Sequence, residues 1–374
     1  MLYFPYTLPY TPGARGTPVC DRSGMMSILL SFRSLRTSWL ASLVVVWLGS
    51  LAASGFGDAG QAQSIEREGL GLPLLCTLGE TCWVANYVDV DPTEAARDFR
   101  CRPRTYNTHD GTDFAIRDLA VMAQGVPVVA SAAGIVRKVR DGVEDVGITD
   151  EAARTQIAGR NCGNGVLIEH EAGWQTQYCH LRRGSLRVKS GERVDRGSPL
   201  GLVGLSGKTA FPHVHLTVRR NSEVIDPFTG QPMQAGCGRS GTPLWRVEPP
   251  LAYEEVALYN AGLSGGQPNL ETIRSGRRDE QLAPASPALA LWVEIFGVQA
   301  GDRLRFRVTS PDGTLLFEQE VPVERTQAWR FAFAGTHART GTWPLGVYTG
   351  TVTLTRRSEG RSMERSVTRT VTIR

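Results

Sequence analysis

The chain has 374 residues, with 41 Lys and Arg against 37 Asp and Glu, a net charge of +4 and 41% hydrophobic residues. This is the composition of an ordinary soluble globular protein, long enough for two domains. The modest charge, with no dense basic stripe interleaved with aromatics, excludes a nucleic-acid binder. The 41 glycines favour turn-rich β architecture over long helices.

Residues 1–24 are rich in Pro and Tyr and precede Met25-Met26. They read as an extension upstream of the natural start. Arg33 and Arg36 then form a basic n-region, Trp39 to Ala53 an apolar run, and Gly60-Gln61-Ala62 fits a cleavage site. The apolar run is short for a spanning helix, which needs ~20 apolar residues. Residues 1–62 are therefore expected to be an extension plus an export signal at about 25–62. The product would be periplasmic, held in the cell envelope or secreted, with a membrane anchor only if the signal stays uncleaved.

Beyond Cys20 there are six cysteines: Cys76, Cys82, Cys101, Cys162, Cys179 and Cys237. An even count in an exported chain predicts disulfides. Val166–His170 and Trp174–His180 read as strands joined by a turn at Glu171-Ala172-Gly173. That hairpin would draw Cys162 and Cys179 together. Cys82–Cys101 would close the segment leading into His109 and leave Cys76 and Cys237 over. A zinc site built from cysteines is disfavoured, because no paired CxxC spacing occurs.

Residues 63–104 form an N-terminal segment, and the chain beyond it divides in two. From 105 to 228 short apolar runs are broken by Gly turns: Val126–Ala130, Gly134–Arg140, Val166–His170, Trp174–His180, Leu200–Gly204 and His213–Arg219. Asp141 to Gly163 is a long polar connection, of the kind that often lines a functional site. Residues 229–250, rich in Gly, Pro, Ser and Thr, read as a linker. Strand-like runs follow at Val256–Ala261, Ala290–Phe296, Arg303–Thr309, Leu315–Val321, Ala328–Phe333, Val347–Thr355 and Ser366–Ile373. With turn signals such as Pro311-Asp312-Gly313, these predict an immunoglobulin-like β-sandwich over 251–374. The fold class expected is thus mainly β.

The stretch Phe211-Pro212-His213-Val214-His215-Leu216-Thr217-Val218 carries the strongest chemical signal. After Pro212 it alternates with period two, which places His213, His215 and Thr217 on one face of a strand. The chain has 6 His, and all but His337 fall between positions 109 and 215. In Thr108-His109-Asp110-Gly111-Thr112-Asp113 a His and an Asp stand four apart, and Gly111 and Thr112 argue for a turn leading into a strand. Taken alone, that pair is as readily a polar turn. With either histidine of the 213/215 pair it would supply three protein ligands and leave a fourth zinc position for water. His180 ends the strand Gln175–Cys179. His170, beside the hairpin turn, reads as structural, and His337 as a solvated loop residue.

The order His109-x-x-x-Asp113, Tyr178-Cys179-His180-Leu181, Val194-Asp195-Arg196-Gly197, Leu200-Gly201-Leu202-Val203-Gly204, Pro212-His213-Val214-His215 and Asp226-Pro227 resembles the LytM/lysostaphin-type zinc metallopeptidases, family M23. The resemblance covers about 105–228 and implies a small antiparallel β-sheet domain with a narrow groove walled by loops. It implies Zn2+ held by His109, Asp113 and His215, with His180 and His213 as catalytic histidines. It also implies an endopeptidase acting on the peptide stems or cross-bridges of peptidoglycan. His213 would be the general base and His180 a donor to the developing oxyanion, a contribution of ~3 kcal/mol per donor, and the two roles are exchangeable. Two features depart from the family: the long Asp141–Gly163 loop and the cysteines beside the site.

A second reading is a non-catalytic LytM-like regulator of amidases or wall-binding protein. Such members lack some metal residues and this chain lacks none. A third is a protease acting on Gly-rich proteins. Phe211, Lys208 and Arg182 would border the groove, the C-terminal domain carries no motif above a spacer, and Leu74–Asn107 could lie across the groove as a latency device. Nothing in the sequence indicates an oligomer.

Overall fold

Alternation of apolar and polar residues is clearest where a strand has one face in the core and one in solvent. In Arg303–Thr309 the residues Leu304, Phe306 and Val308 are fully buried while Arg303, Arg305 and Arg307 face solvent. Burying a ring such as Phe306 contributes ~2–3 kcal/mol. The computed structural model describes residues 65–148, 155, 157, 159–338, 341–358 and 360–374. The export signal expected at about 25–62 lies outside the described residues. Among those described, no helix is long and apolar enough to cross a membrane.

The first part of the chain contains α1 (Ile65–Glu68), β1 (Cys82–Asn86), β2 (Thr112–Ile116), α2 (Leu119–Gln124), β3 (Pro127–Val129), β4 (Gly134–Arg140), β5 (Asn164–Glu169), β6 (Trp174–Leu181), β7 (Arg193–Val194), β8 (Pro199–Leu202), β9 (His213–Arg220), β10 (Glu223–Asp226) and β11 (Gln231–Pro232). The main sheet runs β1-β2-β9-β6-β5-β4-β7 with antiparallel neighbours, and β3 pairs with β8 beside it. On β9 the residues Val214, Leu216 and Val218 enter a core with Phe114, Ile116, Tyr178 and Ile168. The opposite face of β9 is left for His213, His215 and Thr217, as the period-two pattern requires.

The second part contains β12 (Ala257–Ser264), α3 (Leu270–Arg274), β13 (Gln281–Leu282), β14 (Ala288–Val298), β15 (Arg303–Thr309), β16 (Leu315–Pro322), β17 (Gln327–His337), β18 (Gly346–Ser358) and β19 (Arg361–Ile373). A sheet β12-β14-β17 faces a sheet β13-β19-β18-β15-β16, and Leu291, Val293 and Ile295 share one core with Leu304, Phe306, Val352 and Leu354. This two-layer arrangement is compatible with the immunoglobulin-like expectation. The architecture is mainly β and antiparallel, apart from the short parallel pair β13–β19.

The disulfides correct part of the expected pairing. Cys162–Cys179 forms as the β5–β6 hairpin demands. Cys82 does not pair with Cys101: it pairs with Cys76, and Cys101 pairs with Cys237. The turn that closes on Cys82, with Gly79 N–H donating to its carbonyl, brings Cys76 within 6.0 Å in Cα–Cα distance. Cys101–Cys237 spans a sequence separation of 136. A link across so long a loop removes ~4–5 kcal/mol of unfolded-state entropy. Residues 229–250, expected as a linker, are thereby held to the first core. Leu244 and Trp245 are buried in it, and Leu70 N–H donates to the Leu244 carbonyl at 2.7 Å.

Within Leu74–Asn107, the segment that could lie across the groove, Cys82–Asn86 form β1 beside β2, and the Tyr106 ring stands 4.5 Å from that of His109. β1 also meets the sandwich. Trp83, Ala85 and Ala115 form one apolar cluster with Ala257, Tyr259 and Phe296. Arg104 donates to the carbonyls of Val84 and Glu254 and lies against Gly297, where a Cβ would collide with its side chain. Asp118 caps α2 through Val121 N–H and pairs with Arg278 of the sandwich at 2.9 Å.

Candidate metal centre

The site is a product of sheet register. Antiparallel pairing sets Asp113 of β2 directly opposite His215 of β9, and Cys179 of β6 opposite His215 on the other side. Directly opposed residues have Cβ atoms ~5 Å apart, so ligands on facing positions converge without help from loops. His109 enters from the turn before β2. Gly111 between the two is required by space: a Cβ there would lie 2.5 Å from His215 Nε2. The expected turn into a strand is what forms.

His109 Nε2, Asp113 Oδ1 and His215 Nδ1 lie 3.1, 3.1 and 2.9 Å from one another. All three residues are buried and form the one group of this kind among the described residues. Ligand bonds of ~2.0–2.1 Å in a tetrahedron put neighbouring donors ~3.3 Å apart, so the triangle fits a zinc-sized ion with little adjustment. The atoms not facing the centre are all engaged. His109 Nδ1 donates to the Tyr87 carbonyl at 2.7 Å, and Asn86 Nδ2 donates to Asp113 Oδ2 at 2.8 Å. His215 Nε2 meets Thr217 Oγ1 at 3.0 Å and Asp110 Oδ1 at 3.2 Å. Such outer bonds fix ring orientation and tautomer, as metal-binding imidazoles require.

The electrostatics favour a cation. Burial pushes the Asp113 carboxyl up, but the imidazoles of His109 and His213 outweigh it and hold Asp113 well below the usual carboxylate range. Burial likewise raises Asp110, and the hydrogen bond and charge of His215, with Arg219 and His109, bring it down to about 2. For His215 burial acts downward, and Asp110 and Asp113 together push it up to about 9. Two ionised carboxylates thus converge on the imidazoles. A cation taking the centre displaces the His215 proton.

On a second side of the cluster stand His213 and His180, with ring centroids 4.7 Å apart. His213 Nδ1 meets the Phe211 carbonyl at 2.9 Å and Thr209 Oγ1 at 3.1 Å, leaving Nε2 3.3 Å from Asp113 Oδ1. His180 Nδ1 donates to the Ser206 carbonyl at 2.8 Å, and its backbone N–H to the Cys162 carbonyl at 2.8 Å. Its φ of 65° is in the left-handed region, where a non-glycine side chain is strained. Burial holds the His180 imidazole well below its ordinary value, and the neighbouring His213 and His215 add to this.

The other histidines lie outside the group. His170 is bonded through both ring nitrogens, to the Ala133 carbonyl and Thr176 Oγ1, and is structural. His337 is exposed but ends β17 rather than a loop. Arg182 serves the carbonyls of Met122 and Ala123 at the end of α2, and Phe211 is half buried against His213. No fourth His, Cys, Asp or Glu of Leu74–Asn107 joins the triad; that segment supports the ligands through Asn86 and Tyr87. Sequence reasoning missed these two, which precede the motif with no pattern of their own. Asp110 and Thr217 were within its reach, one beside His109 and one on the His215 face of β9.

The model of peptidase family M23 matches residues 107–227. A metalloprotease of Haemophilus influenzae is 34% identical over 121 residues, covering 32% of this chain and 20% of that protein. The peptidoglycan DD-endopeptidase ShyA of Vibrio cholerae is 34% identical over 107 residues, covering 29% and 19%. The DD-carboxypeptidase/endopeptidase Mpg of Neisseria meningitidis is 31% identical over 134 residues, covering 35% and 25%. The chain therefore spans about a fifth to a quarter of the length of these curated relatives. Motif order, ligand triangle and family match fall on the same stretch of chain, and the domain at 107–227 belongs to peptidase family M23, the LytM/lysostaphin-type metallopeptidases.

Proposed function

We propose that this chain is an exported zinc endopeptidase that hydrolyses peptide bonds in the stems or cross-bridges of peptidoglycan. The observation that carries the reading is the buried triangle of His109, Asp113 and His215 with two further imidazoles beside it. All-nitrogen and oxygen donors in a set of three suit zinc in a catalytic rather than a structural site. The substrate class is supported by relatives named for peptidoglycan DD-endopeptidase activity. Export is supported by the three disulfides, which persist in oxidising compartments.

When bound, the ion supplies Lewis acidity that polarises a scissile carbonyl and acidifies a water. The protein handles the proton. His213, with Nδ1–H donated to the Phe211 carbonyl, presents the Nε2 lone pair towards the ligands and can take a proton from the attacking water. It can then give that proton to the leaving amine. His180 has the same tautomer: its Nδ1 must carry the proton to meet the Ser206 carbonyl, so its Nε2 is a lone pair while the ring is neutral. That tautomer supports the exchanged assignment, in which His180 serves as a base rather than as the oxyanion donor. Its Nε2 lone pair can accept a hydrogen bond from the attacking water, and burial, which holds the ring well below its ordinary value, keeps it neutral for that role.

Purified mature chain should contain about one zinc and convert cross-linked sacculi to uncross-linked fragments. No bound zinc together with intact sacculi would point to the regulator instead. Cutting of a pentaglycine substrate alone would point to a protease of Gly-rich chains.

A further inference from the structure

The sandwich reaches the candidate site through a row of rings. Phe211 lies with its ring centroid 4.7 Å from that of His213, at an interplanar angle of 31°. On its other side, 5.3 Å away, is Phe296 of β14. Phe296 stacks on Tyr259 of β12 at 4.1 Å and 11°. Tyr259 in turn is pinned: its hydroxyl donates to the buried carboxylate of Glu294 at 3.0 Å and accepts from Trp329 Nε1 at 2.9 Å. Asn260 Nδ2 donates to the same carboxylate at 2.7 Å, and the Arg274 guanidinium lies 3.6 Å from it. Phe296, Tyr259 and Glu294 are 2%, 4% and 1% exposed, so the row starts in a close-packed, fully bonded anchor.

We infer that Phe296 of the C-terminal sandwich is a positioning residue for the proposed reaction, holding Phe211 and through it the His213 imidazole in place. The inference rests on the peptidase reading above. Phe211 acts on His213 twice, by ring contact and by the carbonyl that accepts from Nδ1. Phe211 lies in the irregular stretch between β8 and β9, its backbone tied to Thr209 Oγ1 and its ring packed on the cluster that Phe296 forms with Trp83, Ala85 and Ala115. Without the flat ring of Phe296 a cavity opens under Phe211, which relaxes into it. Misplacement of a reacting group by ~1 Å costs up to ~100-fold in rate. The sandwich is docked firmly enough to act as a wall, through the Trp83–Ala85–Ala115 cluster, the Asp118–Arg278 ion pair and Arg104 against Gly297. The C-terminal domain would then be part of the catalytic apparatus, where the sequence suggested no more than a spacer.

The test compares full-length wild type with Phe296→Ala, Phe296→Leu and Phe317→Ala. Phe317 packs on the sandwich core in the other cluster, away from Phe211. With sacculi as substrate, Phe296→Ala should lose roughly tenfold or more in kcat, with KM within about twofold and metal content unchanged. Phe296→Leu should be intermediate, and Phe317→Ala should keep the wild-type kcat below its unfolding temperature. Wild-type kcat in Phe296→Ala, or in Phe296→Leu where the alanine variant does not fold, overturns the inference. A second measurement needs no cleavage. In protein carrying 15N-labelled histidine rings, with the peak assigned by its loss in His213→Gln, the His213 signal should shift or broaden in the Phe296 variants while that of His170 stays. An unchanged His213 signal overturns the inference. Failure of the wild type to cut any wall material counts against the peptidase reading alone.

Discussion

The two halves of the site are built by different means. His109, Asp113 and His215 are fixed by the β2–β9 register and by bonds from β1, the Tyr87 carbonyl and Asp110. His180 and His213 sit at the ends of β6 and β9, and the acceptors that orient them, Ser206 and Phe211, are on the irregular stretch after β8. On the proposed reading this is a division of labour between a rigid ladder that would grip the metal and loops that would aim the two catalytic imidazoles. Damage to the first should empty the site, and damage to the second should leave it loaded but slow.

The largest effect is expected from His215→Ala, which removes the donor at the middle of the sheet. Metal should be lost, and activity should fall about a thousandfold or more, read by metal analysis beside the sacculus assay. On the aiming side, His213→Gln and His180→Gln should each retain the metal and lose about 100- to 10,000-fold in kcat. Loss of metal in either would erase the distinction between the halves. Asn86→Ala sharpens it from the gripping side. Asp113 keeps its place in the ladder but loses its amide donor, so affinity for metal should fall about 10- to 100-fold in competition with a chelator. The mildest effect, taken per pH unit, is that of pH on metal affinity. His215 in the metal-free protein is raised to about 9, so below that pH the ion must displace a proton. Affinity should rise about tenfold per unit as pH climbs toward 9 and level off above it, with close to one proton released near neutrality.

Much of this was legible in the sequence, and for physical reasons. The alternation of His213, Val214, His215 and Leu216 can be satisfied only by a strand with two unlike faces, and the structure supplies a core for one and the imidazole cluster for the other. Gly111 signalled a turn, but its closer reason, contact with His215, needs the fold. The local pairing Cys162–Cys179 followed from a hairpin. Cys101–Cys237 joins positions 136 residues apart, a separation that no local pattern encodes. Asn86 and Tyr87 were invisible because what matters in them is an amide and a carbonyl placed by strand pairing. The row from Tyr259 to Phe211 was invisible for a similar reason: each ring reads as core until the neighbour is known.

A zinc-edge X-ray absorption spectrum of the purified chain tests the central claim most directly. The account predicts one zinc with a shell of nitrogen and oxygen only, at ~2.0–2.1 Å and with two imidazoles, that disappears in His215→Ala. A sulfur shell at ~2.3 Å, or a metal retained in full by that variant, would contradict it.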